Sequence, residues 1–354
     1  MGSTESARAA NGSPPSSAMR VLLTGGTGFL GGWIARELLR RGHAVRAFVR
    51  SRSNLSNLAG LEVELKLGDV CDAASVEAAV RDCDAVVHSA GAVHFQTKPG
   101  ELMAVNATAV GVVLGAALRA GVRRAALTSS TAVMGGSREP VLADEASASN
   151  AAELGIDYFL SKARGEEMAL SLFEDGLSVV VLRPSVVLGP GDVYRSSAST
   201  VLGLVRRRIP FYVEGGASYC DVRDVARAHA EALERGRPGE PYILGGTNLT
   251  TSDMVRRVAQ ASGVPPPRRV PYRLALAAAT LGEWAGRRRG RGPAFSPQLV
   301  RAAHLYTFVK SEKAERELGY AVRPFEETLR DTLRWFVHER RLEATTPELR
   351  ALAG

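Results

Sequence analysis

The stretch RVLLTGGTGFLG, residues 20–31, decides how the rest of the chain is read. Its first five residues form a short apolar run suited to a buried strand, and from residue 29 to residue 41 apolar side chains recur at helical spacing. Between strand and helix stand Gly25, Gly28 and Gly31. In such a unit the first glycine permits a tight turn, the second lets the backbone approach a pyrophosphate, and the third lets the helix pack closely on the strand. The free amides at the helix N-terminus then face the anion. Glycines at this spacing are common by chance, so the flanking strand and helix carry the inference of a dinucleotide site.

Outward from this unit the pattern repeats. Residues 44–50, 61–67, 85–88, 124–129 and 178–183 read as strands, with helical stretches in most of the gaps. Strands alternating with helices imply parallel crossover units, hence an α/β fold of Rossmann type with a doubly wound parallel sheet. After Pro184 the rhythm breaks at Gly189, Pro190 and Gly191, where a smaller C-terminal substrate lobe is expected to begin. A helix-like run from 222 to 235 and a strand-like YIL at 242–244 are expected to return to the main sheet. The organisation predicted is a disordered tail over 1–18, a nucleotide domain over 19–188 rejoined by 222–246, a lobe over 189–221 and 247–345, and a tail over 346–354.

The chain has 354 residues, 45% of them hydrophobic and 23% charged, an ordinary globular balance. Its net charge of +8 comes almost entirely from arginine, since the lysines are Lys66, Lys98, Lys162, Lys310 and Lys313. Blocks such as Arg206 to Arg208 and the arginines from 287 to 291 could favour a polyanion, but no nucleic-acid-binding signature accompanies them, and no nucleic-acid partner is expected. Cys71, Cys83 and Cys220 are too scattered for a metal or redox pair, so no metal site is expected and a reducing, cytoplasmic compartment is the natural reading. No run reaches the roughly 18 apolar residues of a membrane span. Residues 272–286, YRLALAAATLGEWAG, read as an apolar helix of the lobe; with the arginines after it, contact with a membrane surface would suit a lipid-like substrate.

Two positions bear on the cofactor. An NAD-binding protein usually carries an acidic residue at the end of the second strand, and here that place holds Arg50, with Arg52 nearby. A guanidinium would bind the 2'-phosphate of NADP in a fork, so NADP(H) is preferred, with NAD(H) still admitted; the alternative is a solvated arginine at a strand end. Asp69, in the GDV after the third strand, is placed either to meet an adenine amine or to cap the helix that begins near Ala73.

The chemistry sits in YFLSK, where Tyr158 and Lys162 are four residues apart and share one helix face. A nearby ammonium favours the phenolate and is expected to lower the tyrosine pKa from its usual value near 10. Ser129, Ser130 and Thr131 follow the fifth strand, at the sheet edge where ligands bind, and a hydroxyl there could hold a carbonyl oxygen as charge develops on it. A plain Ser/Thr turn is the other reading.

Taken in order, TGGTGFLG, GDV, HSAG (88–91), VNATAVG (105–111), TSS, YFLSK and LRPSVVLGPGD (182–192) resemble the extended short-chain dehydrogenases/reductases of the NAD-dependent epimerase/dehydratase superfamily. The chain looks like the branch with dihydroflavonol 4-reductase-like, 3β-hydroxysteroid dehydrogenase-like and hopanoid-associated sugar epimerase-like members, over roughly residues 19–337. The resemblance implies Ser130 rather than Ser129 as the catalytic hydroxyl, with Tyr158 and Lys162, and Asn106 as a helper. It implies cofactor contacts at Gly25, Thr27, Gly28, Phe29, Leu30, Gly31, Arg50, Asp69, Val70, Ser89, Ala90, Gly91, Tyr158 and Lys162, with Pro184, Ser185 and Val187 near the nicotinamide. Two departures limit the transfer: Cys220 stands where many relatives have a histidine, and Gly135 where plant flavonoid reductases have an asparagine, so a flavonoid substrate is not supported.

The function expected is therefore NADP-dependent reduction of a ketone or aldehyde, or oxidation of the alcohol. An NAD-dependent nucleotide-sugar epimerase or dehydratase is the alternative, and a non-catalytic nucleotide sensor is a minor one. The partners expected are a small carbonyl or alcohol substrate and a second copy of the chain, since relatives often dimerise through the helix bearing YxxxK and the one before it.

Overall fold

The computed structural model describes residues 18–92, 98–193, 198–288 and 296–353. Strand and helix alternate first: β1 (Arg20–Thr24), α1 (Phe29–Arg40), β2 (Ala44–Val49), β3 (Val63–Leu67), α2 (Ala73–Val80), β4 (Ala85–His88), α3 (Pro99–Met103), α4 (Ala109–Arg119), β5 (Arg124–Thr128), α5 (Asp157–Glu174) and β6 (Val179–Pro184). Then follow β7 (Val186–Leu188), α6 (Ser199–Val205), β8 (Phe211–Tyr212), β9 (Gly216–Asp221), α7 (Val222–Arg235), β10 (Pro241–Leu244), β11 (Thr247–Thr250) and α8 (Thr251–Ser262). The last elements are β12 (Arg268–Arg269), α9 (Tyr272–Arg288), α10 (Pro297–Ala303), β13 (Tyr306–Thr307), α11 (Glu312–Leu318), α12 (Phe325–His338) and α13 (Pro347–Ala351).

The main sheet is parallel, in the order β3-β2-β1-β4-β5-β6-β10. It is covered on both faces, which explains why its strands read as unbroken apolar runs. Alternate residues serve the two faces: Val21 and Leu23 of β1 join Ile34, Leu38 and Val225 of α1 and α7, while Leu22 joins Val76, Val113 and Leu114 of α2 and α4. Arg41 fastens α1 to α7 through Glu37, Glu231 and Glu234, and these carboxylates hold its guanidinium above its usual pKa despite burial. Strand order reverses between β1 and β4, so the crevice beyond their carboxyl ends is where this architecture receives a ligand.

A second sheet, β11-β9-β13 with β7 beside β9, packs under α6, α8, α12 and α13. Three expectations need correction. The second sheet takes up the chain at Val186, earlier than the expected boundary at 188, because β7 pairs with β9 and not with the main sheet. Residues 346–353 are not a tail: Thr346 accepts a hydrogen bond from Leu349 N to cap α13, and Leu349 is fully buried. One continuous helical run does have the length and composition of a membrane span, the 21 residues Pro99–Arg119, and its buried side is the core face of α4. The expected tail over 1–18 lies outside the described residues except for Ala18.

Candidate active site

The glycine turn is built by close approach. Gly25 has φ +73°, and a Cβ there would stand 2.6 Å from Ala90 N and 2.7 Å from Ser89 O, so the turn leans directly on the end of β4. A Cβ at Gly31 would lie 2.0 Å from Gly25 O, which holds α1 tight against the turn. Gly28 is the N-cap of α1 with no side-chain cap, so the first amides of the helix face outward for an anion. Asn57 braces this loop, its Nδ2 donating to Thr27 O at 3.3 Å and Gly28 O at 3.1 Å. Phe29 is buried and Leu30 partly buried behind the turn, both packed into the core.

Arg50 is exposed just past β2, and among the described residues it has no carboxylate partner. Asp69 does not cap α2; Asp72 does, accepting from Ser75 N at 3.2 Å, while Asp69 Oδ1 accepts from Cys71 N in a turn of its own, with Val70 between them. Ser89, Ala90 and Gly91 continue from β4, and Ala90 N donates to Thr24 Oγ1 at 3.2 Å. Across the crevice Pro184 ends β6, Ser185 N donates to Leu244 O at 3.1 Å, and the Ser185 hydroxyl is buried near Cys220. Val187 directs its side chain into the main core, which leaves its backbone as its means of meeting a cofactor.

Tyr158 and Lys162 project from successive turns of α5 toward the end of β5. Ser130 leaves β5 in extended conformation, and its Oγ accepts from Ala132 N at 3.2 Å. A hydrogen bond with Ser130 lowers the Tyr158 pKa, yet burial outweighs it and the net direction is upward. That corrects the expectation of a tyrosine lowered by Lys162. Lys162 instead donates to Thr128 O at 2.8 Å, and burial brings its own pKa down to about 8 against the favourable pull of Glu166.

Ser129 points elsewhere, donating to Glu166 Oε2 at 2.6 Å, and Glu166 is clamped by Arg183 of β6. The two adjacent serines are thus separated by direction: Ser129 ties α5 to the sheet, and Ser130 meets Tyr158. Asn106 lies in a π-helical turn at Ala104–Thr108 and is buried. Its amide holds Ala92 by both backbone groups and donates to Ser161 Oγ at 3.0 Å, and Ser161 donates in turn to Tyr158 O. It reaches Tyr158 only through Ser161 and the Tyr158 backbone carbonyl, which makes it a positioning residue for the start of α5.

Asn57, Glu166, Arg183 and His229 were not singled out by the sequence reading. Glu166 carried a visible signal, standing one further turn along the face of Tyr158 and Lys162; the others are brought in by loops and crossovers. His229 Nδ1 faces Val225 O, which can only accept, so Nε2 accepts from Thr128 Oγ1 at 2.8 Å. Burial lowers His229 to about 4 and His88 to about 3, so both stay neutral near pH 7.

Gly135 ends the short helical turn that follows Ser130. Its φ is +84° and a Cβ would fall 1.8 Å from Asn150 Oδ1, so this backbone has no room for an asparagine side chain there.

A doubly wound sheet with a glycine turn at its switch point and a Ser-Tyr-Lys cluster beside it defines an NAD(P)-dependent oxidoreductase. The family described as NAD dependent epimerase/dehydratase matches residues 21–245, and the chain belongs to it. A Synechocystis sp. protein assigned as a dihydroflavonol 4-reductase is 32% identical over 321 residues, covering 89% of this chain and 93% of its own. Sterol demethylase protein B of Methylococcus capsulatus is 31% identical over 323 residues, covering 90% and 98%. The crystal structure of gox2253 superposes with a TM-score of 0.80 at 35% identity, covering 91% of this chain and 99% of that one.

Proposed function

We propose that the protein reduces a ketone or aldehyde with NADPH, or oxidises the corresponding alcohol, through Ser130, Tyr158 and Lys162. The observation that carries this reading is the Ser130–Tyr158 hydrogen bond at the carboxyl edge of the sheet, with Lys162 one turn along and the Gly25 turn across the crevice. The groove left by glycines that admit no Cβ fits a pyrophosphate, and Arg50, exposed and without a carboxylate partner among the described residues, fits a 2'-phosphate. When bound, the cofactor supplies or accepts the hydride.

This chain's residues manage the oxygen. Ser130 donates to the carbonyl oxygen and favours the charge that grows there. Tyr158, kept protonated by burial, gives that oxygen its proton. Lys162, still mostly charged at neutral pH and anchored on Thr128 O, would donate to the hydroxyls of a bound nicotinamide ribose.

Tyr158→Phe should lower turnover by about two to four orders of magnitude while NADPH still binds, as measured by fluorescence titration and a stopped assay. Turnover near the wild-type rate would remove Tyr158 from the chemistry. Arg50→Ala should abolish a preference for NADPH over NADH; an unchanged preference, or NAD that stays bound through purification, would count against the NADP assignment and favour an epimerase.

A further inference from the structure

A cavity of about 380 Å³ lies in the lobe between α6, the β8–β12 pair, α9 and α10, in the size range that holds a small organic molecule. Ile209, Val213, Ala275, Ala279 and Leu299 make its walls apolar, and no charged side chain is among the described residues that line it. Of its hydroxyls, Tyr212 is engaged with Ser252. Such a wall has little with which to recognise a sugar or nucleotide and much with which to shelter a hydrocarbon.

The cavity opens along α9, since Ala278 and Gly282 both line it and are exposed. Beside that mouth stand Leu274, Leu281 and Trp284, 66%, 67% and 56% exposed, at helical positions that fall within one face. The surrounding surface is basic. Arg207, Arg208, Arg268 and Arg273 are exposed; Arg269, also exposed, pairs with Glu214 at 3.5 Å, and Glu283 follows the acid-free residues 264–282. A second copy of the chain docked here by two-fold symmetry would set these arginines against their own kind. An anionic lipid surface complements them, and it accepts leucine and an interfacial tryptophan at the same time.

We propose that the outer face of α9 and its arginine rim dock the lobe on an anionic bilayer, and that the cavity takes up the hydrocarbon chain of a bilayer-resident substrate. The helix α10 links this site to the chemistry: Leu299, Val300 and Ala303 line the cavity, while Ala302 packs against the same buried cluster of Ala132, Ile156, Phe159 and Leu305 that Tyr158 packs against. That the chain belongs to the substrate rests on the reductase reading; the docking does not.

Full-length protein is sedimented with phosphatidylcholine vesicles with and without phosphatidylglycerol, at low and high salt. Binding to the phosphatidylglycerol vesicles, weakened by salt and lost by at least about tenfold in Leu274→Ser/Leu281→Ser/Trp284→Ser, is the expected result. Bound NADPH serves as the control for folding. Wild type left in the supernatant at low salt, or a triple variant that sediments equally well, overturns the docking, as does a sizing column showing that the triple variant only splits a dimer. For the cavity, a dansyl-labelled long-chain alcohol is titrated against wild type and Ala278→Trp, which corks the mouth from an exposed position. Loss of at least about tenfold in affinity supports the chain site and equal affinity overturns it. NADPH-dependent turnover of a short, water-soluble aldehyde, assayed in parallel, tests the reductase reading by itself.

Discussion

Tyr158 and Lys162 are moved in opposite directions by the same cause. Burial penalises the charged form, which for a phenol is the base and for an ammonium is the acid, so Tyr158 rises and Lys162 falls to about 8. Burial thus keeps Tyr158 protonated, while Lys162 remains mostly a cation at neutral pH because its lowered pKa still lies above 7. Above pH 8 the lysine gives up its charge, and kcat/KM for NADPH in the reduction direction should fall there with an apparent pKa near 8. Lys162→Arg, which stays charged, should be slower but lack that fall; a pH profile with the same alkaline limb in both proteins would show that another group titrates. At this scale the sequence was informative wherever residue type and spacing set the chemistry, as for Tyr158 and Lys162. It could not tell Ser129 from Ser130 except by resemblance, because adjacent residues leaving a strand part in direction only once Glu166 and Arg183 have claimed one of them.

Among the elements, β1 and α1 were legible because the glycines between them leave few other ways to fold. The π-helical turn that inserts Asn106 between Ala92 and α5 had no such signature, since it needs an extra residue per turn and not a special residue type. Likewise α13 escaped notice. Five residues with one deeply buried apolar side chain show no periodicity, yet Leu349 completes a core made by α8 and α12. Leu349→Ala should destabilise the fold by about 2–5 kcal/mol, seen as a lower denaturant midpoint at unchanged slope. A loss below about 0.5 kcal/mol would mean that α13 is only laid on the surface.

For the molecule as a whole, alternation along the sequence foretold a parallel doubly wound sheet, and the YIL expected to rejoin it at 242–244 lies in β10, beside β6. Strand order and the exact point of departure into the second sheet were not legible, because they depend on which partner each short strand finds; β7, which begins two residues after β6 ends at Pro184, pairs its Val186 with Tyr219 of β9. Because β10 seals the edge of β6, the main sheet cannot be finished until about 60 more residues have been made after β6. At ~5–20 residues per second a ribosome takes roughly 3–12 s over that stretch. For those seconds every newly made copy presents an open, apolar strand edge in a crowded polysome, a template for mispairing with its neighbours and a natural station for a chaperone.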